Sequence, residues 1–305
     1  MAQSVYIIIL TWNHIVDTIE CLDSVFKSDY SDIHVVVVDN ASSDNTVQII
    51  REKYPCIDIL ENGQNLGYAE GNNEGIRYSA SQGADYVFIL NNDTVLDPQA
   101  ISFLVKDLEE NPNAIATVPI SYLYALPQKV YFAGGRVTEQ GEPKHLNFGD
   151  DEIDNLRLLG STITDWINGC AILIRVSYLQ IIGLFDPRFF VIFEDADWSF
   201  RARQAGYQLR VVSIAKIWHK SSASLGGSSQ PKYIYYSTRN RHLWLERNFS
   251  IHQRIPFHIY AVKNDFRTLK NFIKIIIGRT AYHRAIRQGY VDYIFRRFHQ
   301  RKYNW

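Results

Sequence analysis

The chain has 305 residues, 46% apolar and 13% aromatic, which suits a folded unit with a large core and excludes extended disorder. Lys+Arg and Asp+Glu both number 32, yet residues 263–305 hold 11 basic and 2 acidic groups, a balance of 11 − 2 = +9. The rest therefore carries −9, so an acidic body precedes a basic, aromatic-rich tail.

Taken in chain order, residues 5–10 read as a buried strand and 13–26 as a helix. Strand 33–38, helix 44–54, strand 57–61, helix 69–82, strand 86–90 and helix 98–110 follow. Short apolar strands separated by helices predict an α/β fold with a mostly parallel sheet covered on both faces. Residues 121–164 are rich in Gly, Pro and aromatics and predict irregular strands and loops. Regularity returns at 170–174, with a helix from Val176, a turn at 183–187 and a helix over 195–205 that stops at Gly206. Two short strands, 209–212 and 214–218, precede His219. The cysteines Cys21, Cys56 and Cys170 lack ligand spacing and are expected as reduced thiols packed like small apolar residues. Neither a cleaved leader nor a membrane-spanning segment is expected, because residues 5–10 are too short and Lys274 interrupts the late apolar run.

Three strands end in polar side chains: Thr11-Trp12-Asn13, Asp39-Asn40 and Asn91-Asn92-Asp93. In open α/β sheets this carboxyl edge is where ligands bind, and such a group of side chains suits a nucleotide. A turn plus helix cap accounts well for Ser43 or Asp44 but poorly for Asp39, which precedes the cap by several positions. The loop 62–75 is glycine-rich and opens a helix, so Asn65, Gly67 and Asn72 are candidates to meet a diphosphate, although GxGxxG spacing and a P-loop Lys are absent. Asp93 supplies one carboxylate, enough for Mg²⁺ or Mn²⁺ when a diphosphate completes the shell. His219 is a second candidate ligand. Glu194-Asp195 sits at a helix start, where the macrodipole favours carboxylates and Asp197 can pair with Arg201. The apolar approach 189–193 adds a partly desolvated setting, which raises a carboxyl pKa toward general-base range.

In this order, TWN, VVVDNASSDNT, NLGYAEGNNEGI, ILNNDTVLDP, INGCAILIR, GLFDPRFFVIFEDADWSFRARQAGY and WH, the motifs resemble glycosyltransferase family 2 over about residues 4–245. The chain is most similar to the rhamnosyltransferase-like branch of bacterial surface-polysaccharide enzymes. The resemblance implies a GT-A fold, with a nucleotide-sugar-binding half at 1–120, an acceptor and catalytic half at 121–250 and a helical basic tail at 251–305. It also implies an inverting, metal-assisted transfer of rhamnose or a similar hexose from a dTDP- or UDP-linked donor to a glycan or lipid-linked glycan. By position, Thr11, Asn13, Asp39, Asn65, Gly67, Asn72 and Asn92 would bind the nucleotide, and Asp93 and His219 the metal. Asp195 would be the base with Glu194 beside it, while Arg239 and Trp198 would touch diphosphate or acceptor. Two departures stand out: an amide, Asn91, replaces one carboxylate of the family's DxD, and His14 stands where many relatives have Arg.

A sugar nucleotidyltransferase is the alternative enzyme class, but it needs a basic glycine-rich loop after the first strand, where Thr11-Trp12-Asn13-His14 stands. A non-catalytic carbohydrate-binding relative is the other alternative; joint retention of Asp39, Asp93, Asp195 and His219 argues against it. The basic tail, interleaved with Phe, Tyr and Ile, suits an anionic membrane surface better than nucleic acid, placing the protein at the cytoplasmic membrane face; a solvated helix pair is its plainer reading.

Overall fold

A computed structural model describes residues 3–151, 160–220, 229–298 and 300; part of the irregular 121–164 segment and the end of the basic tail lie outside the described residues. The apolar runs form the buried centre of one sheet. β1 (Val5–Thr11) pairs in parallel with β2 (Ile33–Asp39) and β4 (Tyr86–Asn91), and β2 pairs with β3 (Asp58–Glu61). Both faces of β1, β4 and most of β2 are buried, which is why the sequence shows continuous rather than alternating hydrophobicity there. Ile8, Val36, Val38 and Ile89 face one core, which Ile76 of α3 (Gly67–Ser81) joins. Ile7, Ile9, Val37 and Phe88 face the other, with side chains of α1 (Ile15–Val25) and α4 (Ala100–Glu110).

One strand in the far half of the sheet runs against its neighbours, and the next two regain the direction of β4. β11 (Ala171–Arg175) runs antiparallel to both β4 and β6 (Ala114–Leu123), and β12 (Gln208–His219) continues beyond β6. β6 is absent from the elements expected above; Pro119 inside it masks a strand pattern. The proline is tolerated because it faces Val212 at a register shift, where the ladder is already interrupted. The same irregularity makes β12 one bent strand where the sequence reads as two. The 121–164 region contributes β7 (Leu126–Phe132), the hairpin β8 (Gly135–Val137) and β9 (Pro143–His145), and β10 (Ser161–Ile163).

Register brings the polar ends together. Thr11 lies beside Asp39 and Leu10 beside Asn91. Because β11 is antiparallel, its leading loop at Gly169-Cys170 reaches the same edge. The short β5 (Thr94–Leu96) pairs antiparallel with β12, setting His219 against Thr94 and hence next to Asp93. Then come α7 (Pro231–Asn248), α8 (Ile251–Asp265), α9 (Leu269–Ile277) and α10 (Ala281–Ile294), the last two forming a helix pair within the basic tail. Ser250 and Gln253 form a capping box on α8, and Thr268 and Thr280 cap the next two helices. Cys21 and Cys170 are buried as expected, but Cys56 is exposed.

Candidate functional site

The polar strand ends open onto a cavity of about 560 Å³. Its floor is the turn after β4. Asp93 Oδ1 lies 3.0 Å from His219 Nε2, and both residues are almost fully buried. His219 Nδ1 is buried without a hydrogen-bond partner, while Asn91 Nδ2 stands 3.4 Å from Nε2. Asn92 donates to Thr18 Oγ1 at 3.0 Å, and Thr18 shares a 3.0 Å hydrogen bond with Thr11. Thr11, Asn92, Asn65 and Gly67 line the cavity.

Glu194 and Asp195 line the same cavity, at the head of α6 (Glu194–Gln204), which follows the one-turn helix α5 (Leu179–Ile182). Asp195 Oδ2 accepts from Gly169 N at 2.9 Å and Oδ1 from Ala196 N at 2.7 Å. Burial raises its pKa against those two bonds, which lower it. Glu194 is more deeply placed, its Oε2 has no partner, and burial and then the Asp195 charge push its pKa well up. Both carboxyls are thus pushed up by burial, Glu194 the further of the two.

The segment that delivers them has unusual backbone. Phe190, Ile192 and Phe193 have φ of 64°, 73° and 77°, left-handed values for residues with full side chains. Such conformations cost about 1 kcal/mol or more each and persist only where the surroundings enforce them. Gly67, at φ 80°, permits the close approach: a Cβ there would lie 2.5 Å from both the Phe190 ring and its carbonyl oxygen.

Several expected site residues sit behind the wall. Asp39 is buried and accepts from Ser42 N at 2.9 Å and from the Ser42 hydroxyl, so it shapes the turn after β2. Asn13 Oδ1 accepts from Ser43 N at 2.9 Å, and its φ of 60° with His14 at 59° explains why α1 starts at Ile15 rather than Asn13. Asn72 is fully buried and bonds back to the Tyr68 carbonyl, leaving its own Oδ1 without a partner. Trp198 is a core residue donating to the Gly183 carbonyl. Arg239 is fully buried among the rings of Tyr235, Tyr236 and Phe298 and donates to main-chain carbonyls, away from the cavity lining.

Residues 6–179, more than half of the chain, match the family described as Glycosyl transferase family 2. The chain belongs to that family. This glycosyltransferase, which depends on a nucleotide-sugar, is 26% identical over 274 residues to the N-acetylglucosaminyl-diphospho-decaprenol L-rhamnosyltransferase of Mycobacterium tuberculosis, a match spanning 81% of this chain and 89% of that protein. It is 23% identical to the dTDP-rhamnosyl transferase RfbF of Shigella flexneri, over 81% and 82% of the two chains. Its fold resembles that of the mannosyltransferase PcManGT from Pyrobaculum calidifontis, solved with GDP-Man and Mn²⁺, at a TM-score of 0.60 and 16% identity over 97% of this chain and 88% of that one. The fold is GT-A.

The glycosyltransferase's donor set fits a divalent cation only in part. One carboxylate and one imidazole face each other at Asp93 and His219, and among the described residues no group of three or more such ligands exists. Oxygen-loving cations accept this when diphosphate and water complete the shell. Other lining residues escaped the sequence reading. Lys232, at the start of α7, holds its ammonium 5.2 Å from the Trp12 ring centre, and burial lowers its pKa. His145, in the hairpin, bonds the Tyr131 carbonyl at 3.0 Å and packs on Trp166. Neither had a local signal: one is a lone Lys after a proline, the other a lone His in an aperiodic region.

Proposed function

We propose that this enzyme transfers rhamnose, or a similar hexose, from a dTDP- or UDP-linked donor to a hydroxyl of a glycan or lipid-linked glycan, with inversion. The observation that carries the reading is Asp195, a carboxylate held by two N–H groups with a pKa raised by burial, sharing one cavity with Asp93 and His219. Asp195 takes the proton of the acceptor hydroxyl as that oxygen bonds to the anomeric carbon. The bond from that carbon to the diphosphate oxygen breaks on the opposite face, and the electron pair leaves with the nucleoside diphosphate. Asp93 and His219, with the diphosphate, would hold a divalent cation, Mg²⁺ or Mn²⁺, which would supply positive charge against the leaving group. Lys232, which has no carboxylate partner among the described residues, adds a cation to the same cavity. Glu194 stands beside Asp195, and burial and the Asp195 charge disfavour a second negative charge there. Thr11, Asn65, Gly67 and Asn92 line the nucleotide side, with Asn13 and Asp39 bracing the turn behind it.

The names of the two relatives favour rhamnose among donor sugars. Incubating the protein with labelled dTDP-rhamnose, UDP-sugars and GDP-mannose in Mn²⁺ tests this, with slow release of free sugar as the readout. Release from dTDP-rhamnose ahead of the others is expected; turnover of none of them overturns the transferase reading.

The lipid-linked acceptor is supported by the outer face of α8 and α9. Ile251, Ile255, Ile259 and Val262 recur at helical spacing and are 39–54% exposed, while Phe272, Ile273, Ile276 and Ile277 are 46–63% exposed. Lys263, Arg267, Lys270 and Lys274 flank them, and the acid among them, Asp265, is engaged by Arg241 and Tyr290. An apolar stripe rimmed by cations fits an anionic membrane at the cytoplasmic face. A second copy would set one basic rim against another. α10 faces inward instead, packing Gly289 against Thr238 of α7. Among the described residues no helix is long and apolar enough to cross a membrane. Vesicles containing phosphatidylglycerol should therefore bind the protein in sedimentation. The triple variant Ile255→Glu, Ile259→Glu and Ile273→Glu should reduce that binding by about 10-fold or more; unchanged binding removes the membrane face from the proposal.

A further inference from the structure

The segment from Arg188 to Phe193 carries Glu194 and Asp195 into the cavity, and its backbone could not hold that shape unaided. Three of its residues are left-handed, and one of them, Ile192, is β-branched, the type least suited to positive φ. Its carbonyls show what enforces it. Arg188 O and Phe189 O accept from Arg239 Nη2 at 3.0 and 2.8 Å. Phe189 O, Val191 O and Ile192 O lie 2.8, 2.8 and 2.7 Å from a single nitrogen, Asn240 Nδ2, so three acceptors share the two protons of one amide. Phe190 O takes Tyr68 N at 2.6 Å and Ala69 N at 3.2 Å. Five consecutive carbonyls are thus turned inward onto donors, and the next, Phe193 O, begins α6 by accepting from Asp197 N at 2.9 Å.

Arg239 and Asn240 are both fully buried in α7. They are also coupled to each other, Arg239 Nε donating to Asn240 Oδ1 at 2.9 Å, which fixes the amide with its NH₂ toward the segment. Tyr236, on the same helix, stacks on Phe190 with ring centres 5.3 Å apart. Tyr236, Arg239 and Asn240 do not line the cavity themselves, whereas Phe190 to Phe193, which they hold, do. What they determine is the path of the chain immediately before Asp195.

We propose that Arg239 and Asn240 are positioning residues for the transfer reaction: they hold the strained 188–193 segment and so set where the Asp195 carboxylate stands over the acceptor. This rests on the reading of Asp195 as the base. The physical ground is that a carboxylate on an over-determined segment is aimed by the donors that enforce the segment, and displacements near 1 Å cost about 10²-fold in rate.

The test compares Asn240→Leu, similar in shape but without donors, with Asp195→Asn and with the double variant. Turnover, donor KM and the pH profile are measured on the full chain. Asn240→Leu should lower kcat by about 10²-fold while donor KM changes less than about twofold. Combined with Asp195→Asn it should add little further loss, because both act through one carboxylate. If Asp195→Asn lowers kcat but Asn240→Leu does not, or if the two losses multiply, the positioning role is wrong. If Asp195→Asn retains full activity, the assignment of the base fails instead, which separates the two ideas. Should Asn240→Leu not fold, Arg239→Lys keeps the charge but loses the fork to Arg188 O and Phe189 O. It should lower kcat by about 10-fold, again with donor KM held; an unchanged kcat, or equal loss in donor affinity, overturns the proposal.

Discussion

Replacing Asp195 by Asn is expected to lower turnover by about 10²–10⁴-fold, the usual worth of a positioned general base, with nucleotide affinity nearly intact. Asp195 lines the same cavity as Asp93 and is held by Gly169 N and Ala196 N, so the change removes a proton acceptor and leaves the Asp93–His219 pair in place. The pH profile gives a second readout. Burial raises the Asp195 pKa, and the charged form is the active one, so the acid limb of kcat/KM should lie above the ordinary Asp value of about 3.9. In the Asp195→Asn variant that limb should vanish. Stability should move in the opposite sense. A carboxyl with a raised folded pKa contributes stability that is present at low pH and lost as pH rises through that pKa. The neutral amide avoids this loss, so the Tm of the variant at neutral pH should equal or exceed that of the parent. Full activity in Asp195→Asn would move the role of base to Glu194.

Asp93→Ala should abolish the strengthening of nucleoside-diphosphate binding by Mn²⁺ and lower kcat/KM by about 10²-fold or more, since metal stabilisation of a leaving group amounts to several kcal/mol. Asp93 Oδ1 and His219 Nε2 are 3.0 Å apart on the cavity floor, so the two act on one site. His219→Ala should cost less, about 10-fold, because a diphosphate and waters can replace one imidazole more readily than the carboxylate. Calorimetry with and without Mn²⁺ decides the matter: identical binding of nucleoside diphosphate by parent and Asp93→Ala in both conditions eliminates the metal assignment.

The parallel core was legible because its strands are buried on both faces, and continuous apolar runs such as Val35 to Val38 have few other uses. β6 was not, since Pro119 argues against a central strand unless a register shift in a distant partner absorbs it. Asp93, Glu194 and Asp195 were legible because each ends an apolar run in charge. Asp39 looked like a ligand for the same reason, yet its oxygens are occupied by Ser42, three residues away. Arg239 looked like a diphosphate contact because a cation near a nucleotide site invites that reading. In the fold its guanidinium instead satisfies carbonyls 50 and 51 residues away, a pairing that no local pattern announces.

By itself the sequence determined the α/β class, the polar strand ends and, through the order of its motifs, the family. Those features depend on local periodicity and on residue types at fixed spacing, and both survive without knowledge of contacts. Only the tertiary structure decided which polar residues face the cavity and which brace it. That choice turns on antiparallel β11 and the β5–β12 pairing, which bring Gly169 and His219 to an edge defined by strands more than seventy residues away. It turns also on α7, whose buried Arg239 and Asn240 hold in place a backbone that residues 188–193 could not adopt alone. Long-range hydrogen bonds of this kind are not encoded in any window of neighbouring residues, because their strength comes from burial that exists only once the sheet and helices have closed.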